Sequence, residues 1–275
     1  MHKIGAALHC VIPARGDRPC AMNHAELLEL AVGLAAEAAE AIQAIRRAGF
    51  AIERKGDASP VTAADRLAEG IITEGLLLAT PGIPVVAEEA CAEGVMPEVA
   101  ERFWLVDPLD GTREFADGRD EYVVCIALIE GGRPVLGVLA APAHGTIYGG
   151  IVGDGAWIEE SGTRRPIRAR RPPAEGLHLL ESRSHRDAAA TEEFCRDLRI
   201  AQTTRMGSAL KFAWMAEGRA DLMPRLSSGI MEWDTAAGQA VLEAAGGRVL
   251  DSSGASLGYG KPAYRNPGFV AWGEK

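Results

Sequence analysis

The chain is short of cysteine, short of positive charge and without a long apolar run, and each shortage removes a class of function. Its 275 residues include five cysteines, Cys10, Cys20, Cys91, Cys125 and Cys195. They are odd in number, widely spaced and lack a C-x-x-C pair. That argues against a disulfide framework or a zinc site and fits reduced thiols in a cytoplasm. Lysine and arginine total 29 against 38 aspartate and glutamate, a formal net charge of −9. This balance argues against a broad basic face for nucleic acid. It would also repel an anionic ligand, so a phosphate site has to rely on bound metal, helix N-termini and a few local cations. No apolar run reaches transmembrane length. The patch Met1 to Val11 is interrupted by His9 and has no cleavage signal, so no signal peptide is expected. No H-E-x-x-H zinc motif and no G-x-S-x-G elbow is expected. Gly260-Lys261 lacks the upstream glycine of a Walker loop, since Ala255 stands there, and Pro262 follows it.

What is present reads as a soluble globular enzyme, 47% hydrophobic and 24% charged. Residues 1–22 hold Pro13, Gly16 and Pro19 with little periodicity and read as a loose extension, with Met22 as an alternative start. Residues 24–48 carry Leu27, Leu30, Leu34, Ala38, Ile42 and Ile45 at helical spacing after the cap residue Asn23. A polar loop from Lys55 leads into a second helix, with Thr62 as its N-cap. Ile83 to Ala87 is a short strand ending in Glu88-Glu89. Residues 121–130 and 133–141 form a hairpin, and 146–149 and 155–159 continue the strand-rich section. The basic, proline-containing stretch Arg164 to Pro173 reads as a solvated loop and a subdomain boundary. It divides the chain into residues 23–165 and 166–275. Beyond it come a strand (177–181), helices (191–198 and 208–217), a strand (220–223), a small-residue helix opened by Asp234, and strands near Val249 and 269–272. Helices and hairpins interleave without a steady βαβ rhythm, which indicates a layered α+β architecture.

The most informative stretch is Trp104-Leu105-Val106-Asp107-Pro108-Leu109-Asp110-Gly111-Thr112. An apolar strand is expected to stop at Pro108, turning two carboxylates to one side. Clustered anions raise each other's pKa unless a cation neutralises them, and magnesium suits hard oxygen ligands. Gly111 and Thr112 then open a helical turn whose free N–H groups suit an anion. Glu88, Asp107 and Asp110 each follow an apolar strand, and Asp234 opens a helix. Together with the Leu109 carbonyl they are candidate ligands for a cluster of metal ions. Asp65 and Thr112 form a second candidate pair, the hydroxyl orienting a water and the carboxylate taking its proton. The alternatives are ordinary ones: a tight acidic turn, a helix-capping threonine and a first-turn acid.

These residues resemble the inositol monophosphatase superfamily of magnesium-dependent, lithium-sensitive phosphatases, from about residue 25 to the end. Asp107 to Thr112 match its Asp-Pro-[Leu/Ile]-Asp-Gly-[Thr/Ser] signature, and Trp233 to Gly238 match its second. Pro60 to Asp65 and Glu88-Glu89 fall where its other two elements belong. Arg113-Glu114-Phe115, Ser182 to His185 and Gly207 to Phe212 make the chain most similar to the 3′(2′),5′-bisphosphate nucleotidase (CysQ-type) branch. The resemblance implies a layered α/β/α/β/α sandwich of the sugar-phosphatase type. It also implies two or three Mg2+ ions on Glu88, Asp107, Leu109 (carbonyl), Asp110 and Asp234, with Asp65 and Thr112 as catalytic residues. Gly111, Thr112, Arg113, Ser182, Arg183, His185, Ser208 and Lys211 would bind substrate. The implied reaction removes the 3′-phosphate of 3′-phosphoadenosine 5′-phosphate, giving AMP and phosphate, a by-product recycling step of sulfur assimilation. An inositol or sugar monophosphatase is the alternative, and a non-catalytic nucleotide sensor is an alternative of another class. The expected setting is cytoplasmic, with no obligatory membrane contact; peripheral association with the inner membrane and a homodimer are left open. The stretch Leu226 to Glu232 departs from the pattern of enterobacterial relatives and is expected to approach the ligand.

Overall fold

Asn23 starts the first described helix by a reciprocal cap. Its side chain accepts the Glu26 N–H while the Glu26 carboxylate accepts the Asn23 N–H. A computed structural model describes residues 22–54, 60–98, 100–184 and 186–274. The expected N-terminal extension, except Met22, and His185 lie outside the described residues. So does the polar stretch Lys55 to Ser59.

Helix α1 (His24–Ala48) buries Leu27, Leu28, Ala31, Ala35, Ala38 and Ile42 along one stripe. Strands β1 (Ile52–Arg54) and β2 (Pro60–Thr62) pair as a short antiparallel ribbon, which the sequence does not signal by alternation. Helix α2 (Ala63–Ala79) follows from the cap residue Thr62, as expected. Next come β3 (Val85–Ala87), α3 (Glu88–Ala92), β4 (Arg102–Asp110), α4 (Thr112–Ala116), β5 (Val123–Glu130), β6 (Arg133–Ala141), β7 (Thr146–Ile151), β8 (Gly155–Glu160) and β9 (Thr163–Ile167). β3 to β9 form one sheet in chain order; β3 and β4 are parallel and every later pair is antiparallel.

The remaining elements are β10 (Leu177–Ser182), α5 (Ala188–Phe194), β11 (Ile200–Met206), α6 (Leu210–Ala216), β12 (Leu222–Arg225), α7 (Trp233–Ala244), β13 (Arg248–Asp251) and β14 (Phe269–Trp272). Their strands form a second sheet in the order β11-β10-β12-β14-β13.

Three apolar clusters make the layers. On β4, Trp104 and Val106 face α1 and α2, whereas Phe103 and Leu105 face α6, α7 and the second sheet. Leu177, Leu179 and Leu222 bury the outer face of the second sheet under Phe194 and Leu198. The order is therefore α1α2, sheet, α6α7, sheet, α5: the α/β/α/β/α sandwich the sequence implies. Helix α7 lies between the two sheets, so most of its surface is buried, and its small residues let it approach. A Cβ on Gly137 of β6 would sit 2.5 Å from the Ala237 carbonyl oxygen. No helix among the described residues is long and apolar enough to cross a membrane.

Three expectations are corrected. Strand β4 does not stop at Pro108 but runs to Asp110. Its parallel partner ends at Ala87↔Val106, and the β5 ladder jumps from Asp107↔Cys125 to Asp110↔Val123. One extra residue sits in β4 there, a bulge that needs no N–H from proline. Arg164 and Arg165 belong to β9, an exposed edge strand, and not to a loop. The helix expected at 191–198 occupies 188–194, because Asp187 caps it by accepting the Ala190 N–H at 3.0 Å.

Candidate metal and phosphate site

The acidic residues meet because of where strands end. β3 and β4 run in parallel, so their carboxyl ends adjoin, and Glu88 follows one directly while Asp107 and Asp110 flank the bulge in the other. Asp234 comes from the first turn of α7. One carboxylate oxygen each from Glu88, Asp107 and Asp234 lies within 4.8 Å of the others. Two backbone contacts orient the set: Leu109 N–H donates to Asp107 Oδ1 at 2.9 Å and Met231 N–H to Asp234 Oδ2 at 3.0 Å. Asp110 Oδ2 accepts the Ala209 N–H from the start of α6.

This arrangement is costly for anions. Burial, then Glu88, Asp110 and Asp234, push the Asp107 carboxyl well above the ordinary carboxylate range. Burial, then Asp110 and Glu88, do the same to Asp234. Asp110 is pushed up to about 6 by burial, against the pull of Lys211. Beneath them, the Cys125 thiol is raised by burial and by the same carboxylates, so it stays a protonated, free cysteine. Close-set hard oxygens crowded in this way fit a divalent cation such as magnesium.

Asp65 and Thr112 stand beside this cluster. Asp65 is the third residue of α2, and its Oδ2 accepts both the Thr62 N–H and the Thr62 hydroxyl at 2.7 Å. Its Oδ1 is left for the Thr112 hydroxyl at 2.9 Å. That hydroxyl also lies 3.0 Å from the Leu109 carbonyl oxygen, which puts the carbonyl beside the pair. Burial raises the Asp65 pKa, opposed by the Thr62 and Thr112 hydrogen bonds, and strengthens it as a base. Gly111 precedes α4 with φ 98°, and a Cβ there would sit 2.7 Å from the Glu121 carbonyl oxygen. Only glycine gives that turn, which leads the chain from Asp110 into Thr112.

A cleft opens over the acidic residues as two adjoining cavities of about 180 Å³ each. One is lined by Glu88, Gly111, Thr112 and Arg113, the other by Lys211, Arg225, Asp234 and Phe269. Both are lined by Asp110, Ser182 and Ser208, which makes the cleft continuous. Lys211 Nζ donates to the Ser208 carbonyl at 2.5 Å, and burial lowers its pKa to about 8 against the pull of Asp110 and Glu114. Arg183 lines neither cavity. Its guanidinium binds Glu121 at 2.5 and 3.2 Å, and Glu121 also accepts the Gly207 N–H at 2.9 Å.

Arg225 is a cleft residue that sequence reasoning missed. The available signal was the one that marked Glu88 and Asp107, a charged residue closing an apolar strand. The stretch Leu226 to Glu232, expected to approach the ligand, does so through Ile230, which lines the cleft, but not through Glu232. Glu232 is fully buried and turned away from the cleft, accepting the Gly260 and Lys261 N–H groups at 2.7 and 2.9 Å and pairing with Lys261 Nζ at 2.6 Å. The spelling G-x-S-x-G does occur, at Gly254 to Gly258, against the expectation of none. No helix follows it directly, and Ser256 donates to Glu243 at 3.3 Å in a bridge to β13, so it is not a strand–helix elbow.

Comparison with known proteins agrees with this geometry. Residues 23–273 match the inositol monophosphatase family. The chain is 45% identical over 248 residues to the 3′(2′),5′-bisphosphate nucleotidase CysQ of Salmonella typhimurium, covering 88% of this chain and 98% of that one. Against the protein of the same name from Escherichia coli K12 it is 46% identical over 218 residues, 78% and 86% of the two chains. Among solved structures, CysQ of Bacteroides thetaiotaomicron superposes with a TM-score of 0.74 at 29% identity, covering 90% of this chain and 97% of that one. With residues 23–273 matching its model and relatives at 45 and 46% identity, the chain belongs to the inositol monophosphatase family.

Proposed function

We propose that this protein is a magnesium-dependent phosphatase that removes the 3′-phosphate of 3′-phosphoadenosine 5′-phosphate, giving AMP and phosphate. The observation that carries the reading is the juxtaposition in one cleft of the Glu88–Asp107–Asp234 cluster, the Asp65–Thr112 pair, and the cationic residues Lys211 and Arg225 further along. The first part suits a scissile phosphate, and the last suits a second phosphate on the same molecule. Relatives named 3′(2′),5′-bisphosphate nucleotidase at 45 and 46% identity support the same substrate.

In this reading Glu88, Asp107, Asp110, Asp234 and the Leu109 carbonyl hold two or three magnesium ions. Bound magnesium supplies positive charge against the phosphoryl oxygens and makes water a stronger acid. The chain's own residues do the rest. Thr62 locks the Asp65 carboxylate so that one oxygen faces Thr112. The Thr112 oxygen accepts a hydrogen bond from the attacking water, and the proton passes through that hydroxyl to Asp65. Water then adds to phosphorus as the bond to the 3′-oxygen breaks; that oxygen takes a proton from solvent water and leaves as the ribose hydroxyl, and Asp65 returns its proton to solvent. Gly111 and Thr112 offer backbone N–H groups to the phosphoryl oxygens, and Arg113, Ser182 and Ser208 line the path to the nucleoside. Arg183 shapes the wall through Glu121. A cytoplasmic setting fits the free cysteines among the described residues.

The test is a phosphate-release panel with purified protein, offering 3′-phosphoadenosine 5′-phosphate, inositol 1-phosphate and sugar phosphates, with and without magnesium and lithium. The bisphosphonucleotide is expected to give the highest kcat/KM, with magnesium required and lithium inhibitory. Faster turnover of inositol 1-phosphate would overturn the substrate, and no turnover of any phosphoester would overturn the enzyme.

A further inference from the structure

Glu88 has an unusual backbone problem. It follows β3 directly and opens α3, so the chain must change from strand to helix at the very residue that faces Asp107 and Asp234. The first N–H groups of any helix need acceptors from outside it. The residue at the cap position is Ala87, which has no side chain to offer, and α3 has no cap of its own. The acceptor comes from another helix. Glu69 on α2 receives the Glu89 N–H on Oε2 at 2.7 Å and the Ala90 N–H on Oε1 at 2.8 Å. Its carboxylate is buried, and both oxygens are used.

Glu69 also lies four residues after Asp65, on the same side of α2 one turn along. One helix therefore carries the base of the water-positioning pair and, in the next turn, the carboxylate that clamps the Glu88 turn. The two N–H groups it holds belong to the residues immediately after Glu88, so they fix the direction in which the Glu88 side chain leaves the backbone.

We infer that Glu69 is a positioning residue for the metal site: by capping α3 from α2 it aims the Glu88 carboxylate at Asp107 and Asp234 and so sets the affinity for magnesium. The inference rests on the reading of Glu88 as a metal ligand given above. Partners that orient metal ligands typically change affinity by about 10–100-fold when removed.

The experiment compares Glu69→Gln and Glu69→Ala with the wild type and with Glu74→Gln, a change at an exposed position of the same helix. Magnesium binding to metal-free protein is titrated by calorimetry, and exchange of the Glu89 and Ala90 amides is followed by hydrogen–deuterium exchange. In Glu69→Ala both amides are expected to exchange faster and the magnesium dissociation constant to rise by about 10–100-fold. Saturating magnesium should restore most of kcat and leave KM unchanged. Glu69→Gln keeps one acceptor oxygen and should fall between the two, while Glu74→Gln should match the wild type. Faster amide exchange with a magnesium affinity within twofold of wild type overturns the inference. So does an equal loss in Glu74→Gln. If Glu69→Ala does not fold, Glu69→Gln decides, and wild-type affinity there counts against the proposal. A wild-type protein that binds no magnesium would instead sink the functional reading.

Discussion

Taking one carboxylate out of the cluster is expected to stabilise the metal-free protein while disabling it. Asp234→Asn is the informative change, because it is nearly isosteric and its Oδ1 can still accept the Met231 N–H. The ligand oxygens of Glu88, Asp107 and Asp234 lie within 4.8 Å of one another, so each ionised pair repels by about 3.5 kcal/mol or more at an effective dielectric constant of about 20. Asp234 takes part in two such pairs, about 7 kcal/mol if all three are charged. Protonation provides an escape, and at about pH 8 neutralising a carboxyl with an ordinary pKa costs about 5 kcal/mol. The lower figure sets a ceiling. With solvent relaxation the gain from Asp234→Asn should be about 2–4 kcal/mol, which raises Tm by about 3–7 °C in a chain of this size. Magnesium acts in the opposite sense on the pair of proteins. At about 100 times its dissociation constant it adds about 2.7 kcal/mol to the wild type, and far less to a variant with a missing ligand. Scanning calorimetry in chelator and in magnesium reads both effects. The sign with pH follows from the raised folded-state values of Asp107 and Asp234. The folded state binds more protons than the unfolded one, so its penalty is absent below about pH 4 and grows as pH rises. The advantage of Asp234→Asn should therefore vanish in acid. A variant no more stable than wild type in chelator, with an undiminished magnesium shift, would refute the claim that these carboxylates share one cation site.

Asp65→Asn should lower kcat by about 100- to 10,000-fold yet keep the magnesium-induced Tm shift, since it removes a proton acceptor and not a metal ligand. Equal loss of the Tm shift would mean that Asp65 holds metal. Burial brings the Lys211 ammonium down to about 8, so it loses its charge as pH rises through that value. KM for an anionic substrate should rise there, and Lys211→Arg should abolish the rise. A KM profile flat through that pH in the wild type would exclude Lys211 from the substrate site. Gly137→Ala forces a Cβ to within 2.5 Å of the Ala237 carbonyl oxygen, which no side-chain rotation relieves. A loss of about 1–3 kcal/mol is expected in denaturant melts, and no loss would mean that α7 packs less tightly on β6 than described.

The parts of the fold that were legible in the sequence are those whose signal is local. Helix α1 shows an apolar stripe and an Asn23–Glu26 cap, and β5 and β6 show two apolar runs joined at Gly131-Gly132. The acidic site was legible for a related reason: a charged residue at the end of an apolar strand has no hydrophobic motive to be there. What stayed hidden depends on contacts distant in sequence. β11 has an exposed, polar pattern, Ile200-Ala-Gln-Thr-Thr-Arg-Met206, and is a strand because it adds to the edge of β10. Pro108 reads as a stop until the β5 register shows a bulge that leaves its missing N–H unneeded. Glu69 looks like any helix acid, and its role as the cap of α3 appears only when α2 and α3 are seen together.

The electrostatic economy of the cleft bears on which phosphoester it selects. Its acidic end is dominated by carboxylates that burial and mutual repulsion make poor anions, so without metal it cannot attract a phosphate. Its other end holds Lys211 and Arg225, two cations whose pKa values burial lowers; the charge that most opposes this is Asp110 for Lys211 and Asp234 for Arg225, both of the acidic end. A bound magnesium cluster would neutralise those aspartates and weaken the attraction they exert on Lys211 and Arg225. Both cations would then favour a further anion. A substrate with one phosphate satisfies only the metal end, whereas a substrate with two satisfies both, and the gain from the second is coupled to metal occupancy. Preference for a bisphosphorylated substrate over a monophosphorylated one should accordingly increase with magnesium concentration. A preference independent of magnesium would mean that the two ends of the cleft act separately.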